Sequence, residues 1–257
     1  MNFSTTIVLP IKGESDVRRF NHILRPSLDS VRNCKLLIVT DEKVDPLPTS
    51  YLPVRIVSDS EFNLPNMIGW HKQQAIKLLS HAFVDTEWIL TMDSDCFFMF
   101  SGGIEMLMPN GRPFCNTTKG RLSNLTLTPK QQSNQDNWWH RSSKVLSSPV
   151  PDVKCTVTPM FLKTDSCKDL TSKIDVAQAI KSGCNEYSLY WINLSKPELY
   201  THEPLVLHGN AYWNKGDPIS FAKKTFASAG RIGLIQSTAE KHDENLLDKL
   251  IEIYEKQ

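Results

Sequence analysis

The sequence predicts an α/β protein, a mostly parallel sheet flanked by helices, followed by a less regular second half. Three observations carry that expectation. Over the first hundred residues, short continuous apolar runs alternate with segments of helical period. One apolar run stops on two aspartates, Asp93-Ser94-Asp95. The composition is that of an ordinary globular chain, with 257 residues, 40% of them hydrophobic and 22% charged. A chain of this length buries roughly 70–75% of the surface its unfolded form exposes, so it needs neither disulfides nor a structural metal. One domain over residues 1–257 is expected, with a first half to about residue 100 and a second half over 101–257.

The elements follow in order. Thr5 to Ile11 is β-branched and apolar and runs into Lys12-Gly13, a buried strand and a turn. From Ser15 to Val31, Val17, Phe20, Ile23, Leu24, Leu28 and Val31 recur at helical spacing, with Pro26 expected to kink or end the helix. Cys34 to Thr40 and Val54 to Val57 read as two further strands, closing on Asp41-Glu42 and Asp59. Gly69 to Phe83 reads as an amphipathic helix. At about 100° per residue, Ala75, Leu78, Leu79, Ala82 and Phe83 share one arc, and Trp70, Gln73, Gln74, Lys77 and His81 the opposite one. The first arc packs on the sheet; the second meets either water or a cleft.

Thr86 to Phe100 is the most informative stretch. A buried strand, Trp88 to Met92, meets Asp93-Ser94-Asp95 and resumes at once with apolar residues. Carboxylates inside an apolar run are costly unless something cationic meets them. In open α/β sheets the carboxyl ends of parallel strands are where ligands bind. Two hard oxygen donors one residue apart suit Mg²⁺ or Mn²⁺, cations that also hold phosphate oxygens.

Beyond residue 100 the alternation weakens. Arg112 to Lys144 carries six cations against the single acid Asp136 and includes Trp138, Trp139 and Arg141. It reads either as an acceptor platform, with indoles on sugars or bases and cations on phosphate, or as a solvated loop edging the site. Helices are expected over Ser166 to Ser182, Asn185 to Leu194 and Thr238 to Lys256, and a strand with a loop over Pro204 to Gly216.

The net charge of +1 excludes a global field that would draw nucleic acid or a membrane surface. The N-terminus shows no basic leader, and its apolar run is too short for a signal peptide or membrane span. The six cysteines stand singly, without zinc or redox spacing. Reduced core thiols and a cytoplasmic location are therefore expected.

The order of elements resembles the GT-A (Rossmann-like) class of nucleotide-sugar glycosyltransferases. Gly69–Leu78 (GWHKQQAIKL), Thr91–Phe98 (TMDSDCFF) and Asn185–Trp191 (NEYSLYW) are also similar to a group of poorly characterised bacterial and phage glycosyltransferase-like proteins. The resemblance implies a hexosyl or pentosyl transfer from a nucleoside-diphosphate sugar, a UDP-sugar first, to a glycan or to DNA carrying a modified base. It implies a Mn²⁺ or Mg²⁺ site at Asp95, with Asp93 on the ribose or on the metal through water. His208 is the expected further ligand and Lys215 a diphosphate contact, although a Lys-Pro-Trp that follows this histidine in the family is absent. Pro10, Ile11 and Lys12 would lie near the base, and Trp70, Gln74 and Lys77 near the donor. Glu186, then Asp136, are the candidates for a catalytic base, and Trp138, Trp139 and Arg141 for acceptor contacts.

Other classes fit less well. A nucleotidyltransferase calls for a Gly-rich loop after the first strand, where only Gly13 stands. A haloacid-type phosphatase calls for its paired aspartates there. A non-catalytic nucleic-acid or carbohydrate-binding module built on 112–144 is the alternative, and it would leave Asp93 and Asp95 dispensable.

Overall fold

The computed structural model describes residues 4–44, 52–115, 129–152, 155, 158–201, 206–207 and 232–234. Its strands are β1 Thr5–Pro10, β2 Val31–Arg32, β3 Lys35–Val39, β4 Val54–Val57, β5 Trp88–Thr91, β6 Cys96–Phe98, β7 Gly102–Gly103, β8 Met160–Lys163, β9 Val206–Leu207 and β10 Ile232–Leu234. The α-helices are α1 Gly13–Arg19, α2 Arg25–Leu28, α3 Gly69–Leu79, α4 Pro129–Leu146, α5 Thr164–Lys173, α6 Val176–Lys181 and α7 Glu186–Asn193.

The main sheet runs β4-β3-β1-β5-β8, parallel except for β8, which pairs antiparallel with β5. β1 is buried along its whole length, as a β-branched apolar strand in the middle of a covered sheet must be. The chain builds outward from β1 through β3 to β4, then returns to place β5 on the other flank of β1. That reversal is a topological switch point. It opens a crevice at the carboxyl ends of β1 and β5, where Lys12 and Asp93-Ser94-Asp95 stand.

Pro26 does not break the first helical segment. A π-helical turn, Phe20–Leu24, precedes α2, and the Arg25 N–H reaches back five residues to the Phe20 carbonyl. The widened turn makes room for the proline ring at the start of α2. One residue on, the Ser27 hydroxyl donates to the Leu24 carbonyl (2.7 Å) and accepts from the Phe98 N–H (3.0 Å), tying α2 to β6.

Two expectations for the second half change. The single helix expected over Ser166 to Ser182 is two, because the Asp175 carboxylate accepts from the Gln178 N–H (3.0 Å) and starts α6 afresh. The polar stretch before residue 150 contains α4, eighteen residues long. It is held by a narrow buried seam, Trp139 and Ser142, against α7, a contact that hydropathy alone does not announce. The halves also share one core, since β8 completes the sheet and Phe161, Leu162 and Tyr190 pack with Ile7 and Leu90. The tail over Thr238 to Lys256 lies outside the described residues.

All six cysteines are buried free thiols. Among the described residues no helix is long and apolar enough to cross a membrane.

Ser27→Ala strands the buried Phe98 N–H without a partner. Urea unfolding is expected to show a loss of about 1–3 kcal/mol with an unchanged m-value.

Candidate active site

The middle of the polar arc of α3 is not solvated. Gln74 and Lys77 are 1% and 4% exposed, because α7 packs over them. A buried ammonium must be paired, and Lys77 is paired twice. Its Nζ lies 2.7 Å from Asp93 Oδ1 and 3.4 Å from Glu186 Oε1, and 5.5 Å from the centre of the Tyr187 ring. Burial works against its charge, but Asp93, Tyr187 and Glu186 outweigh it, and the lysine pKa stands well above the ordinary value. Burial pushes Glu186 upward, with Lys77 offsetting part of that rise.

Glu186 opens α7. Asn185 before it is the N-cap, accepting from the Tyr187 and Ser188 N–H groups in a capping box with Ser188. The same asparagine donates to Glu186 Oε2 and to Gln74 Oε1 (3.3 Å), and the Glu186 N–H also donates to Gln74 Oε1 (3.3 Å). Cap geometry and a glutamine from α3 thus fix the carboxylate in place.

At the end of β5 the chain turns through Asp93-Ser94-Asp95, with the Cys96 N–H donating to the Asp93 carbonyl (3.1 Å). Ser94 and Asp95 are buried; Asp93 is half-buried. Burial and the neighbouring Asp93 charge push Asp95 up to about 7, opposed by Arg19 and a backbone hydrogen bond, with Asp16 adding to the rise. Asp95 is a carboxylate short of counter-charge.

Two residues that the sequence reading passed over complete this side. Asp16, in the first turn of α1, accepts from the Lys12 N–H (3.0 Å), Gln73 Nε2 (2.7 Å) and Ser94 Oγ (3.3 Å), and is paired with Arg19. Arg19 Nε donates to Ser94 Oγ (3.2 Å). Their signal was position: α1 follows β1 directly at the switch point, so its first turns face the crevice.

The remaining candidates divide. Lys12 is committed to Asp59, its Nζ 2.8 Å from Oδ2, and Lys72 Nζ meets the same oxygen at 2.5 Å. Pro10 and Ile11 are buried and laddered to Val39, which leaves backbone rather than side chain near the crevice. Trp70 is half exposed, and its ring centre lies 6.1 Å from that of Trp138. Trp139 is corrected: at 2% exposure it is a core residue, because successive helical residues sit about 100° apart and cannot share a face. Arg141 Nη1 donates to the Ser182 carbonyl (3.2 Å), and Asp136 stands half-buried on α4. His208 and Lys215 lie outside the described residues.

Asp95, with Asp93 beside it, fits a hard divalent cation in an open site, one that takes its other ligands from phosphate and water. They do not form a closed cage, since among the described residues no group of three or more His, Cys, Asp or Glu is placed to hold a metal ion.

A mostly parallel sheet with an acidic turn at its switch point defines a Rossmann-like α/β domain. The chain belongs to a family of unknown function, DUF6492, whose sequence model matches residues 4–250. No curated protein matches it.

Two outcomes are expected. Lys77→Met leaves Asp93 and Glu186 without their cation and costs about 3–5 kcal/mol in urea unfolding, part of which returns when Glu186→Gln is added. Burial pushes Asp59 up, but the hydrogen bonds it accepts from Lys12 and Lys72 outweigh that and hold its carboxyl below the ordinary value. Its contribution is therefore present above the unfolded value of 3.8 and lost as pH falls below it. Asp59→Asn should be about 1–2 kcal/mol less stable at pH 7 and show a flatter stability profile below pH 4.

Proposed function

We propose that this protein is a metal-dependent glycosyltransferase of the GT-A kind, transferring a sugar from a nucleoside-diphosphate donor, UDP-sugars first, to a hydroxyl acceptor. The observation that carries the reading is Asp93-Ser94-Asp95 at the carboxyl end of β5, on the switch point, with Asp95 short of counter-charge. Asp95 and Asp93 would hold Mn²⁺ or Mg²⁺ there. The cation would supply electrostatic stabilisation of the departing diphosphate.

The chain's own residues then take definite parts. Lys77 orients Asp93 and brings fixed positive charge beside the crevice. Asp16 and Arg19 set the rotamer of Ser94 and with it the turn. Glu186, raised by burial and held by Asn185 and Gln74, is suited to accept the acceptor hydroxyl proton as its oxygen attacks the anomeric carbon and the carbon–diphosphate bond breaks.

The test is calorimetric titration with UDP, GDP and their common sugar conjugates, with and without Mn²⁺. Wild type is expected to bind one nucleotide in a metal-dependent way, and Asp95→Asn to lose that binding while keeping its fold by circular dichroism. A folded wild type that binds no nucleotide overturns the proposal.

A further inference from the structure

The side-chain amide of Gln74 has a fixed orientation and a nitrogen left over. Asn185 sets the frame. Its Oδ1 accepts from the Tyr187 N–H (3.0 Å) and the Ser188 N–H (3.3 Å), so its Nδ2 points the other way, toward Gln74 Oε1 (3.3 Å) and Glu186 Oε2. The Glu186 N–H donates to Gln74 Oε1 as well (3.3 Å). Two donors therefore converge on the glutamine oxygen, and turning the amide over would set an NH₂ group against both of them. Gln74 Nε2 is thereby held as a donor, shielded from solvent and with no hydrogen-bond partner among the described residues. A buried amide nitrogen without an acceptor is destabilising, and proteins satisfy such a group with an oxygen of water or ligand.

The place of Gln74 on α3 indicates which oxygen. Trp70, Gln74 and Lys77 follow at i, i+4 and i+7 and share one arc, over about 10 Å of helix axis. Trp70, at the outer end, is 50% exposed, whereas Gln74 and Lys77 are buried. At the inner end Lys77 meets Glu186, while Asp93 reaches the same ammonium from the β5 turn rather than along α3. The unfilled donor thus stands between the open end of the arc and the candidate base. The carboxylate and backbone N–H of Glu186 are tied to the same glutamine amide, the former through Asn185 Nδ2, so donor and base belong to one hydrogen-bonded group. A hydroxyl or water oxygen suits such a pair, because it accepts from an amide N–H and gives its own proton to a carboxylate.

We infer that Gln74 Nε2 receives the oxygen that attacks, a water in the resting protein and the acceptor's hydroxyl oxygen in transfer, and presents it to Glu186. As that oxygen bonds to the anomeric carbon, the carbon–diphosphate bond breaks, the nucleoside diphosphate leaves with the electron pair, and the hydroxyl proton passes to Glu186. With water in the acceptor's place, the same step hydrolyses the donor to free sugar and nucleoside diphosphate. The role in transfer rests on the glycosyltransferase reading; the oxygen site does not. Gln74 moves from the donor side to the acceptor side.

A high-resolution crystal structure of the full chain without nucleotide is expected to show an ordered water within hydrogen-bonding distance of Gln74 Nε2. A side-chain or backbone oxygen of the chain in that place, or no oxygen at all, overturns the site. Donor hydrolysis is followed as nucleoside-diphosphate release from the common UDP- and GDP-sugars with Mn²⁺, and wild type is expected to hydrolyse a donor whose nucleotide it binds. Gln74→Glu keeps an oxygen for Asn185 and the Glu186 N–H but removes the donor. It should lower kcat about five- to thirtyfold, with donor KM and nucleotide affinity within about twofold of wild type. Gln74→Met removes the oxygen too and should lower the melting temperature as well. Wild-type kcat in Gln74→Glu makes the glutamine a structural acceptor and overturns its role. Nucleotide binding without hydrolysis of any donor also overturns that role and leaves the transferase reading standing. A water on Nε2 in a protein that binds no nucleotide keeps the oxygen site and removes both the role and the transferase. The wild-type structure decides the site even where neither variant folds.

Discussion

One buried ammonium organises the site. Lys77 is almost wholly buried, so its charge survives only while carboxylates face it, and the two that do come from different parts of the chain. Asp93 follows β5, and Glu186 begins α7 far along the chain. Taking the ammonium away would leave two carboxylates facing each other in a low dielectric, which is far costlier than a lost surface pair. The triad therefore couples α3, the β5 turn and α7 into one unit, and the crevice between them inherits that rigidity.

Around this unit the distribution of charge is uneven. On the Lys77 side two acids share one directly paired cation. On the Asp95 side Arg19 is drawn to Asp16 and Ser94, and Asp95 is raised to about 7 by burial and by Asp93. A fold that loses stability by placing acids at a sheet edge has a ready use for them if a cation and a diphosphate bind there, which is the logic of the proposed function. The Lys12–Asp59–Lys72 clamp joins the ends of β1 and β4 to the start of α3, holding the far wall of the crevice.

The second half contributes through α4 and α7. A short hydrogen bond between the Ser142 and Ser188 hydroxyls (2.7 Å), both fully buried, lets the two helices approach closely. That seam carries Trp139 inward and leaves Trp138 beside Trp70. The same packing places the α7 N-terminus over the polar arc of α3, so one helix contact both closes the candidate catalytic pair and sets the edge of the candidate acceptor surface.

Much of the first half was legible in the sequence. The apolar runs at Thr5, Lys35 and Trp88 are strands covered on both faces, as continuous β-branched and aliphatic runs require, the run at Val54 is an edge strand that leaves Val54 and Ile56 exposed, and the wheel of α3 correctly placed Gln74 and Lys77 on one arc. The Asp-x-Asp turn was visible as acids where an apolar run should not have them. The sequence by itself thus determined which residues share a strand or a helical face. Tertiary structure alone decided what covers each face: that α7 rather than water meets Lys77, that Asp16 and Arg19 reach the β5 turn, that α4 forms in a segment poor in apolar residues, and that Trp139 is core while Trp138 is not. Periodicity specifies direction around an axis, whereas burial and charge pairing depend on partners distant in the chain, which no local pattern encodes.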